Sequence, residues 1–419
     1  MKSKLISIGD EILIGQIINT NAAFLGDRLF SIGIPVAKTV VIGDEEEVLL
    51  SEFEDSFRNY DVTIITGGLG PTHDDITKHV LLKFFKDEFV RDEKVLEHVR
   101  NIFRSRNMNM PLVNEDQALV PKNSKVIWNA NGTAPGIWIE KDNRIFIAMP
   151  GVPYEMKAMT ENEILPELKK RYSAGSGKVY LQKTLLTTGL GESSLNEMIG
   201  NVKEIIGESK LAFLPSATGV RLRINVEDKS SEEAGVILSN IENKIRAKIP
   251  DYIYGVNKEE LEKVIGVILT ERKQTLSVAE SCTGGMISSK IVSVPGSSNH
   301  YEGGVCVYSN LEKIKLLNIK EETLKKYGAV SEETAKEMAH GVRELMGTDF
   351  ALSTTGIAGP SGGTEQKPVG LVWIGFSSKE KNYAMSFLFG NNREVNIQRA
   401  SQRALEILRR ELLNIEIRF

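Results

Sequence analysis

The sequence is organised around one recurring unit, a short apolar run that ends in a glycine-containing turn and leads into an amphipathic stretch. In the first third of the chain the apolar runs are KLISIG at 4–9, PVAKTVVIG at 35–43 and DVTIITGG at 61–68. Alternation of this kind predicts a parallel β-sheet with helices on both faces. Functional loops of such sheets lie at the carboxyl ends of the strands, so the turns after these runs are the candidate functional loops.

The same alternation of apolar runs and glycine-containing turns returns in the last third of the chain, whereas the middle of the chain has a different pattern. TLSVAESCTGG at 275–285, GGVCVYSN at 303–310 and FALSTTGIAGPSGG at 350–363 again join an apolar run to a glycine-rich turn. In the middle, GVRLRINVE at 219–227 alternates like a half-exposed strand. We therefore expect an α/β fold in which a small α+β domain joins two three-layer α/β sandwich domains. The predicted domains are 1–168, 169–256 and 257–419.

Length and composition narrow the class of protein. A chain of 419 residues needs several hydrophobic cores, and a formal net charge of −4 does not favour bulk binding of nucleic acid. Cys282 and Cys306 lie in different segments and offer neither a disulfide framework nor a structural zinc site, which indicates a reducing compartment. The sequence has no apolar run of the roughly 20 residues that span a bilayer, so we expect a cytoplasmic protein with no membrane partner.

The turn after the third apolar run carries the first candidate site. ITGGLGPTHDDITK at 65–78 can bring backbone N–H groups close to an anion, because glycine permits an approach that a side chain would block. Asp74 and Asp75 follow at the expected helix start, where a carboxylate either serves the helix dipole or holds a divalent cation against a phosphate. SIGDEILIG at 7–15 and VVIGDEEE at 40–47 place further acidic turns after strands, which favours a binding site over simple capping.

Five separated motifs of this region agree in order with one family. They are GDEIL-G at 9–15, NTN at 19–21, GGLGPT-DD-T at 67–77, GTAPG at 132–136 and PGVP-EM at 150–156. At these residues the segment resembles the molybdopterin-binding-like domain at the front of the competence/damage-inducible CinA proteins. The resemblance implies hydrolysis of ADP-ribose to AMP and ribose 5-phosphate with a divalent metal, Mg, Mn or Co, and with K+ as a further ion.

The resemblance also implies which residues of this domain act. Pyrophosphate cleavage needs charge neutralisation and an oriented water, which a metal held by Asp75 together with Asp44 or Asp10 would supply. The implied substrate contacts come from the glycine backbone and two polar side chains: Gly67, Gly68, Gly70, Thr72 and Asn19. The alternative is a domain that binds a pterin or a nucleotide without chemistry.

The run AESCTGG raises a second question, which is the role of Ser281. The residue fits three interpretations: a turn or helix cap, part of an anion cradle, or a nucleophile. A nucleophile needs a base, and the two histidines of this domain, His300 and His340, are expected in solvent-facing or capping positions. Lys313 and Lys315 follow the next expected strand, and burial of a lysine can lower its pKa enough for it to accept a proton. These residues alone leave the alternatives open.

Further motifs link the last third of the chain to the same family. They are AESCTGG at 279–285, PGSS at 295–298, GGVCVYSN--K at 303–313, GAVSEETA at 328–335 and TGIAGP-GGT--KPVG at 355–370. Together they resemble the C-terminal domain of CinA proteins, which also occurs as a stand-alone nicotinamide-nucleotide amidase. The resemblance implies deamidation of nicotinamide mononucleotide to nicotinic acid mononucleotide and ammonia, without a cofactor.

Carried over to this sequence, the resemblance makes Ser281 the nucleophile, Lys313 its general base and Tyr308 a supporting hydroxyl. The implied substrate contacts comprise oxyanion donors, pocket residues and phosphate partners: Thr283, Gly284, Gly285, Thr355, Gly356, Arg393 and Arg399. The sequence departs from the family where relatives read Gly-Asp-Arg and carry a further basic residue. Here an asparagine precedes Arg393, and Ile397 takes the place of the second basic residue.

The two resemblances together predict a bifunctional hydrolase of pyridine-nucleotide salvage, because both substrates are breakdown products of NAD. The middle domain resembles the small KH-like module of these proteins without the GXXG backbone clamp that RNA binding requires, so no nucleic-acid partner is expected. The expected partners are the two nucleotides and a second copy of the chain in a homodimer. A third interpretation, a DNA-uptake or recombination accessory, has no basic stripe in the sequence to support it.

Overall fold

A computed structural model of the chain describes three stretches, 1–70, 75–176 and 179–418. Thr72, a predicted substrate contact, and Asp74, a candidate carboxylate of the expected helix start, lie outside these residues. The chain divides into two compact units, residues 1–181 with 227–235 and residues 182–226 with 236–419. Among the helices of the described residues, none combines the length and the hydrophobicity that crossing a membrane requires.

The first unit contains an α/β sandwich. Its strands are β1 (Ser3–Ile8), β2 (Val36–Ile42), β3 (Val62–Thr66), β4 (Phe89–Arg91), β5 (Leu119–Pro121), β6 (Ser124–Ile127), β7 (Gly136–Lys141) and β8 (Arg144–Met149). Its helices are α1 (Asp10–Leu13), α2 (Thr20–Ser31), α3 (Glu46–Asn59), α4 (Thr77–Phe85), α5 (Glu93–Ser105), α6 (Pro153–Met159) and α7 (Leu165–Ser176). A short 3-10 segment and a π-helical segment lie at Leu112–Ala118 and Thr160–Ile164.

The main sheet of this sandwich has the strand order β2-β1-β3-β8-β7-β6. Strands β1, β2, β3 and β8 run parallel, and β7 runs antiparallel to both of its neighbours. Consecutive residues of a strand face opposite sides of the sheet, and here both sides are apolar. Leu5 packs in the core with α2 and α6, whereas Ile6 packs in the core with α3 and α4. The sheet is therefore covered by helices on both faces.

The strand order positions the first candidate site. The chain leaves β1 toward β2 on one side and later continues in β3 on the other side of β1, so the carboxyl ends of β1 and β3 form a topological switch point. The turns after these two strands meet closely, because a Cβ atom at Gly67 would overlap the carbonyl oxygen of Ile8. Gly67 also has a φ of +109°, which favours glycine.

The middle of the chain forms a small α+β domain. Its elements are β9 (Val179–Thr187), α8 (Glu192–Ile199), α9 (Val202–Ile206), β10 (Lys210–Ser216), β11 (Gly219–Asp228), α10 (Ser231–Lys248) and β12 (Ile253–Val256). The sheet has the order β10-β11-β9-β12, with antiparallel pairing of β10 with β11 and of β9 with β12. Val220, Leu222, Ile224 and Val226 are buried and alternate with more exposed residues, which confirms the half-exposed strand predicted at 219–227.

The last part of the chain forms the second sandwich. Its strands are β13 (Leu276–Glu280), β14 (Tyr301–Cys306), β15 (Phe350–Gly356), β16 (Leu371–Ser377) and β17 (Asn382–Leu388). Its helices are α11 (Leu261–Arg272), α12 (Met286–Val292), α13 (Asn310–Leu317), α14 (Glu321–Tyr327), α15 (Glu332–Met346) and α16 (Arg393–Leu413). A short 3-10 segment lies at Ser297–Asn299.

The sheet of the second sandwich has the strand order β14-β13-β15-β16-β17. Strands β14, β13 and β15 run parallel, and β16 runs antiparallel to both of its neighbours. Val278 and Leu352 face a core with α11, α12 and α16, whereas Ala279 and Ala351 face a core with α13 and α15. The predicted fold class, two α/β sandwiches and a small α+β middle domain, is thereby confirmed.

Candidate active sites

The second sandwich has its own switch point, because β13 lies between β14 and β15 and the turn after β13 meets the end of β15. Ser281 is the first residue after β13, and its N–H donates to the Thr354 carbonyl at 3.0 Å. A cavity of about 170 Å³ opens at this edge of the sheet, and we call it the amidase cavity after the activity that the family resemblance implies. Its lining includes six of the residues predicted for the amidase: Ser281, Tyr308, Lys313, Thr355, Gly356 and Arg393.

Lys313 and Ser281 are in direct contact in this cavity. Lys313 Nζ lies 3.0 Å from Ser281 Oγ and donates to the carbonyl oxygens of Val307 at 2.7 Å and Tyr308 at 3.2 Å. Lys313 is only 1% exposed, and burial lowers its pKa, although the thiols of two nearby cysteines oppose this shift. The side chain of Lys315 is 58% exposed. The structure thus places Lys313 at the serine and leaves Lys315 in solvent.

A buried carboxylate holds the turn that carries Ser281. Glu280 is 1% exposed and accepts hydrogen bonds from backbone N–H groups at the start of α12 and from two hydroxyls. The donors are the N–H groups of Gly285 (3.0 Å), Ile287 (3.1 Å) and Ser288 (2.9 Å) and the hydroxyls of Thr283 and Ser288 (both 2.7 Å). The first N–H groups of a helix lack partners within the helix, so Glu280, rather than Ser281, satisfies them. Glu280 is the last residue of β13, and the sequence gives no signal for this role because three of its five donors are backbone N–H groups.

Replacing Glu280 with glutamine is expected to loosen this turn. The amide has one acceptor oxygen, and its NH2 group would face N–H and O–H donors that it cannot satisfy, so we expect the free energy of unfolding to fall by about 2–3 kcal/mol. The measurement is calorimetric unfolding together with hydrogen exchange of the amides at the start of α12. Glu302→Gln, at an exposed position of β14, is the control. Unchanged amide protection in the Glu280 variant would contradict the capping role.

The predicted oxyanion donors Thr283, Gly284 and Gly285 follow Ser281 in the chain but are not part of the cavity lining, and several of their polar groups are used within the turn. The Thr283 hydroxyl is shared between Glu280 and a threonine of β15. The N–H of Gly284 donates to the Ser281 carbonyl at 3.2 Å, and the N–H of Gly285 donates to Glu280. Both glycines have left-handed backbone, with φ of +62° and +96°, which explains their place here. These groups therefore shape the turn.

Tyr308 and Arg393 lie at the open side of the amidase cavity. Tyr308 is 68% exposed, and its hydroxyl lies 3.5 Å from Arg393 Nη2. Arg393 Nη1 donates to the carbonyl of Gly359 at 3.0 Å, which ties the guanidinium to the glycine-rich loop after β15. Thr355 is 1% exposed and donates its hydroxyl proton to the Ala329 carbonyl at 2.7 Å. Thr355 therefore joins two walls of the cavity.

Asn396 is a positioning residue that the sequence did not reveal. Its side chain is fully buried, and its amide group donates to the carbonyl oxygens of Ala358 at 2.9 Å and Gly390 at 2.7 Å. Its oxygen accepts the N–H of Gly390 at 3.1 Å. These bonds hold the loop before α16 against the loop after β15, and so they fix the position of Arg393 at the start of α16. All of the partners are backbone atoms, which leave no signature in a side-chain pattern.

Arg399 and the two histidines weighed from the sequence also lie outside the lining of the amidase cavity. Arg399 lines a different cavity together with Arg403. The expectation that His300 faces solvent is wrong, because His300 is 4% exposed and its Nδ1 lies 3.2 Å from the Thr270 hydroxyl. The alternative expectation of a capping position is met by its backbone, which caps the 3-10 segment Ser297–Asn299. Burial lowers the pKa of His300. His340 is exposed on α15.

The switch point of the first sandwich holds a cavity of about 520 Å³. Its lining includes most of the residues predicted for the pyrophosphatase: Asn19, Asp44, Gly67, Gly68, Gly70 and Asp75. Asn19 caps α2, because its oxygen accepts the N–H of Ala22 at 3.0 Å, and its NH2 donates to the Ser7 hydroxyl at 2.9 Å. Asn21 is 8% exposed and donates to the Gly151 carbonyl at 2.6 Å, and its side-chain oxygen has no partner among the described residues.

The three carboxylates predicted to hold a metal are not gathered in one cluster. Asp44 and Asp75 line this cavity, whereas Asp10 is outside its lining and lies against Gly43. Within the three described stretches of chain, no group of three or more His, Cys, Asp or Glu side chains could hold a metal ion. Two carboxylates still suit Mg²⁺, because this ion commonly binds through one or two carboxylates and takes its other ligands from water and substrate phosphates.

Known proteins match this chain over its whole length. The matching domain families are the CinA C-terminal domain at residues 258–412, the probable molybdopterin binding domain at 4–170 and the damage-inducible protein CinA KH domain at 182–255. A competence-damage inducible protein of Caldicellulosiruptor bescii is 42% identical over 414 residues, which cover 99% of this chain and 100% of that relative. The chain belongs to the CinA family.

A second relative agrees with this membership. A competence-damage inducible protein of Clostridium botulinum is 42% identical over 412 residues, which cover 98% of this chain and 100% of that relative. Among solved structures, a competence/damage inducible protein from Agrobacterium tumefaciens is 37% identical, with 36% of this chain and 93% of that chain covered and a TM-score of 0.36. The family resemblance read from the motifs is confirmed. The domain bounds at 1–168, 169–256 and 257–419 stay a prediction.

Proposed function

We propose that this CinA family member is a bifunctional hydrolase of pyridine-nucleotide salvage. Its C-terminal domain deamidates nicotinamide mononucleotide to nicotinic acid mononucleotide and ammonia, and its N-terminal domain hydrolyses ADP-ribose to AMP and ribose 5-phosphate. The observation that carries the first activity is the buried 3.0 Å contact between Lys313 Nζ and Ser281 Oγ. The direct test is release of ammonia from nicotinamide mononucleotide by the purified chain, and the absence of release would overturn the assignment.

The surroundings of Lys313 suit a general base. A neutral amine has two N–H donors and one lone pair, and the carbonyl oxygens of Val307 and Tyr308 take up the two donors. In the protonated amine the third N–H donates to Ser281 Oγ, and in the neutral amine a lone pair takes its place and can accept the proton of the Ser281 hydroxyl. As Ser281 attacks the carboxamide carbon, its proton passes to Lys313, and Lys313 returns a proton to the leaving nitrogen as ammonia departs. Water then cleaves the ester on Ser281 and releases nicotinic acid mononucleotide.

The rest of the amidase cavity offers partners for the carboxamide oxygen and the phosphate of the substrate. Because the N–H groups of Gly284 and Gly285 donate within the turn, two N–H groups next to Ser281 are candidate donors to the oxygen that gains negative charge: that of Thr283, one of the predicted donors, and that of Cys282, which lines the cavity. Arg393 is the first residue of α16, so its guanidinium and the positive end of the helix dipole together suit a phosphate. The Tyr308 hydroxyl, 3.5 Å from Arg393, supports that contact.

The rate of deamidation is expected to rise with pH. Lys313 accepts a proton only when it is neutral, so activity is lost as the pH falls below the Lys313 pKa, and burial places that pKa below the value of an exposed lysine. The measurement is the pH dependence of kcat/KM, which reports the ionisation of the free enzyme. A rate that stays flat or declines between acidic and alkaline pH would contradict a lysine base.

The proposal for the N-terminal domain rests on glycine turns and two carboxylates at one switch point. Gly67, Gly68 and Gly70 line the cavity. The N–H of Gly67 donates to the Met149 carbonyl at 3.0 Å, so the N–H groups of Gly68 and Gly70 are the ones that suit a pyrophosphate. Asp44 and Asp75 would hold a divalent metal, which when bound supplies neutralisation of phosphate charge. The choice of ADP-ribose as the substrate comes from the family resemblance.

Replacing Asp75 with asparagine is expected to lower metal-dependent release of AMP from ADP-ribose by about 100-fold, because the amide lacks the charge that binds the metal. The measurement is AMP release with Mg²⁺, Mn²⁺ or Co²⁺, each with and without K⁺, alongside Mn²⁺ binding to both proteins. Asp142→Asn, in the exposed turn between β7 and β8, is the matched control. If the wild-type chain releases no AMP with any of these ions, the domain is a non-catalytic pterin-binding or nucleotide-binding module.

A further inference from the structure

A second cavity of the C-terminal unit is lined by arginines, and we call it the arginine cavity. It has a volume of about 360 Å³ and lies between the turn after β9, the β10–β11 hairpin and one side of α16. The residues that matter here are Gly189, Gly191, Thr218, Phe389, Arg399 and Arg403. The arginine cavity and the amidase cavity share no lining residue.

The geometry of α16 separates the two cavities. Arg399 and Arg403 are four residues apart and therefore lie on one side of the helix. Arg393, which lines the amidase cavity, precedes Arg399 by six residues, which correspond to a rise of about 9 Å and a rotation of about 600°. The two side chains consequently leave the helix in different directions. Arg399 is thus placed to serve the arginine cavity.

Arg403 is held in place at the wall of the arginine cavity. Its Nη1 donates to the carbonyl of Gly189 at 3.1 Å, and its guanidinium lies 5.1 Å from the ring centre of Phe387. Burial lowers the pKa of Arg403 to about 10, which means that the guanidinium has lost part of its hydration. An anion in the cavity would compensate for that loss.

The charges around the cavity are mostly positive. Arg399 and Arg403 line it, and among the described residues of its lining Glu192 is the single acidic one. Glu406 lies close to Gly189, but its carboxylate accepts hydrogen bonds from the next two arginines of α16. The cavity therefore attracts anions.

The lining suits a phosphate that carries an aromatic group. A guanidinium group can donate two parallel hydrogen bonds to two oxygens of one phosphate. The backbone at Gly191 forms the N-terminal end of α8, which also favours an anion. Phe389 lines the cavity and stacks on Phe387 with 9° between the rings, which places an aromatic side chain beside the arginines. The volume lies in the range of small-molecule sites. We propose that the arginine cavity binds a small phosphorylated nucleotide, with its phosphate at Arg399 and Arg403.

The test is hydrogen exchange of the full-length chain, read by mass spectrometry on peptides that cover residues 188–192, with AMP as the probe. AMP is expected to slow exchange in this turn. Arg399→Ala should raise the AMP concentration needed for half protection by about 10- to 100-fold, the effect of removing one charge-assisted phosphate contact. Arg418→Ala removes an exposed arginine that is paired with Glu416 outside the cavity, and it should leave that concentration unchanged.

The local readout separates this cavity from the two proposed active sites, so the result does not depend on either activity. If AMP slows hydrogen exchange of residues 188–192 at a clearly lower concentration than inorganic phosphate does, the result supports a nucleotide site. Equal potency of the two probes would overturn the nucleotide assignment, and an absence of protection by both would overturn the site. Stronger protection by a single-stranded RNA oligonucleotide than by AMP would also overturn the proposal, since the arginines would then contact a nucleic-acid backbone. Arg399 is exposed, so the variant is expected to fold.

Discussion

Replacing Lys313 with methionine is expected to lower kcat for deamidation of nicotinamide mononucleotide by about 10²–10⁴-fold, the usual contribution of a positioned general base. Methionine is flexible, apolar and of similar length, so the change removes the proton acceptor from a buried site with little loss of packing. Replacing Ser281 with alanine removes the nucleophile, and we expect at least the same loss. Steady-state release of ammonia measures both effects.

Lys315→Met is the matched control for this experiment. Lys315 lies on the same helix two residues away, and its side chain is 58% exposed, so this variant should keep the wild-type kcat. Circular dichroism and the unfolding midpoint of each variant show whether the fold is retained. Turnover by Ser281→Ala near the wild-type rate would mean that a directly activated water attacks the carboxamide and that Ser281 is a turn residue.

The position of Ser281 could be predicted from the sequence because the signal is local. An apolar strand pattern that stops at a glycine turn shows where a strand ends, and neighbouring parallel strands end at the same edge of a sheet. The choice between Lys313 and Lys315 is different, since it depends on which side of α13 faces the sheet. The family resemblance made that choice, and the structure places Lys313 on the buried side.

The period of the α-helix explains why Arg399 and Arg393 line different cavities. Six residues turn a helix by about 600°, which leaves the two side chains about 120° apart. Ile397 follows Arg393 by four residues and returns to the same side, at the position where relatives carry a basic residue. The cavity that Arg399 lines could not be predicted from the sequence, because this part of α16 packs against residues of the middle domain that are distant in the chain. The hydrogen bond between Arg403 and Gly189, for example, joins residues 214 positions apart.

Two buried polar residues were also beyond sequence reasoning. Glu280 acts through backbone groups of the following helix, so its role appears only when the turn is folded. His300 lies in a polar stretch that suggests exposure, yet its ring packs where Gly266 has no side chain, and a Cβ atom there would come within 2.7 Å of the ring. A contact between two residues so far apart in the chain leaves no periodic pattern in the sequence.

Replacing Glu406 with glutamine is expected to destabilise the second unit by about 3–5 kcal/mol, the effect of leaving buried charges uncompensated. The Glu406 carboxylate is fully buried and accepts hydrogen bonds from Arg409 at 2.7 and 2.9 Å and from Arg410 at 2.7 Å. Both arginines are at most 2% exposed. Arg409 also donates to the Asp251 carbonyl, and Arg410 lies 4.9 Å from the ring centre of Tyr252, so one carboxylate holds α16 against the middle domain.

Calorimetric unfolding of the full chain measures this effect, and a loss of that size lowers the transition of the second unit by about 6–20 °C. Glu321→Gln breaks an ion pair with Lys325 whose side chains are 63% and 75% exposed, and this control should change stability by less than about 0.5 kcal/mol. Replacing Glu406, Arg409 and Arg410 together by methionine should recover much of the loss, because no charge is then left buried. If Glu406→Gln unfolds like the Glu321→Gln control, other groups neutralise the two arginines and Glu406 does not hold α16 in place.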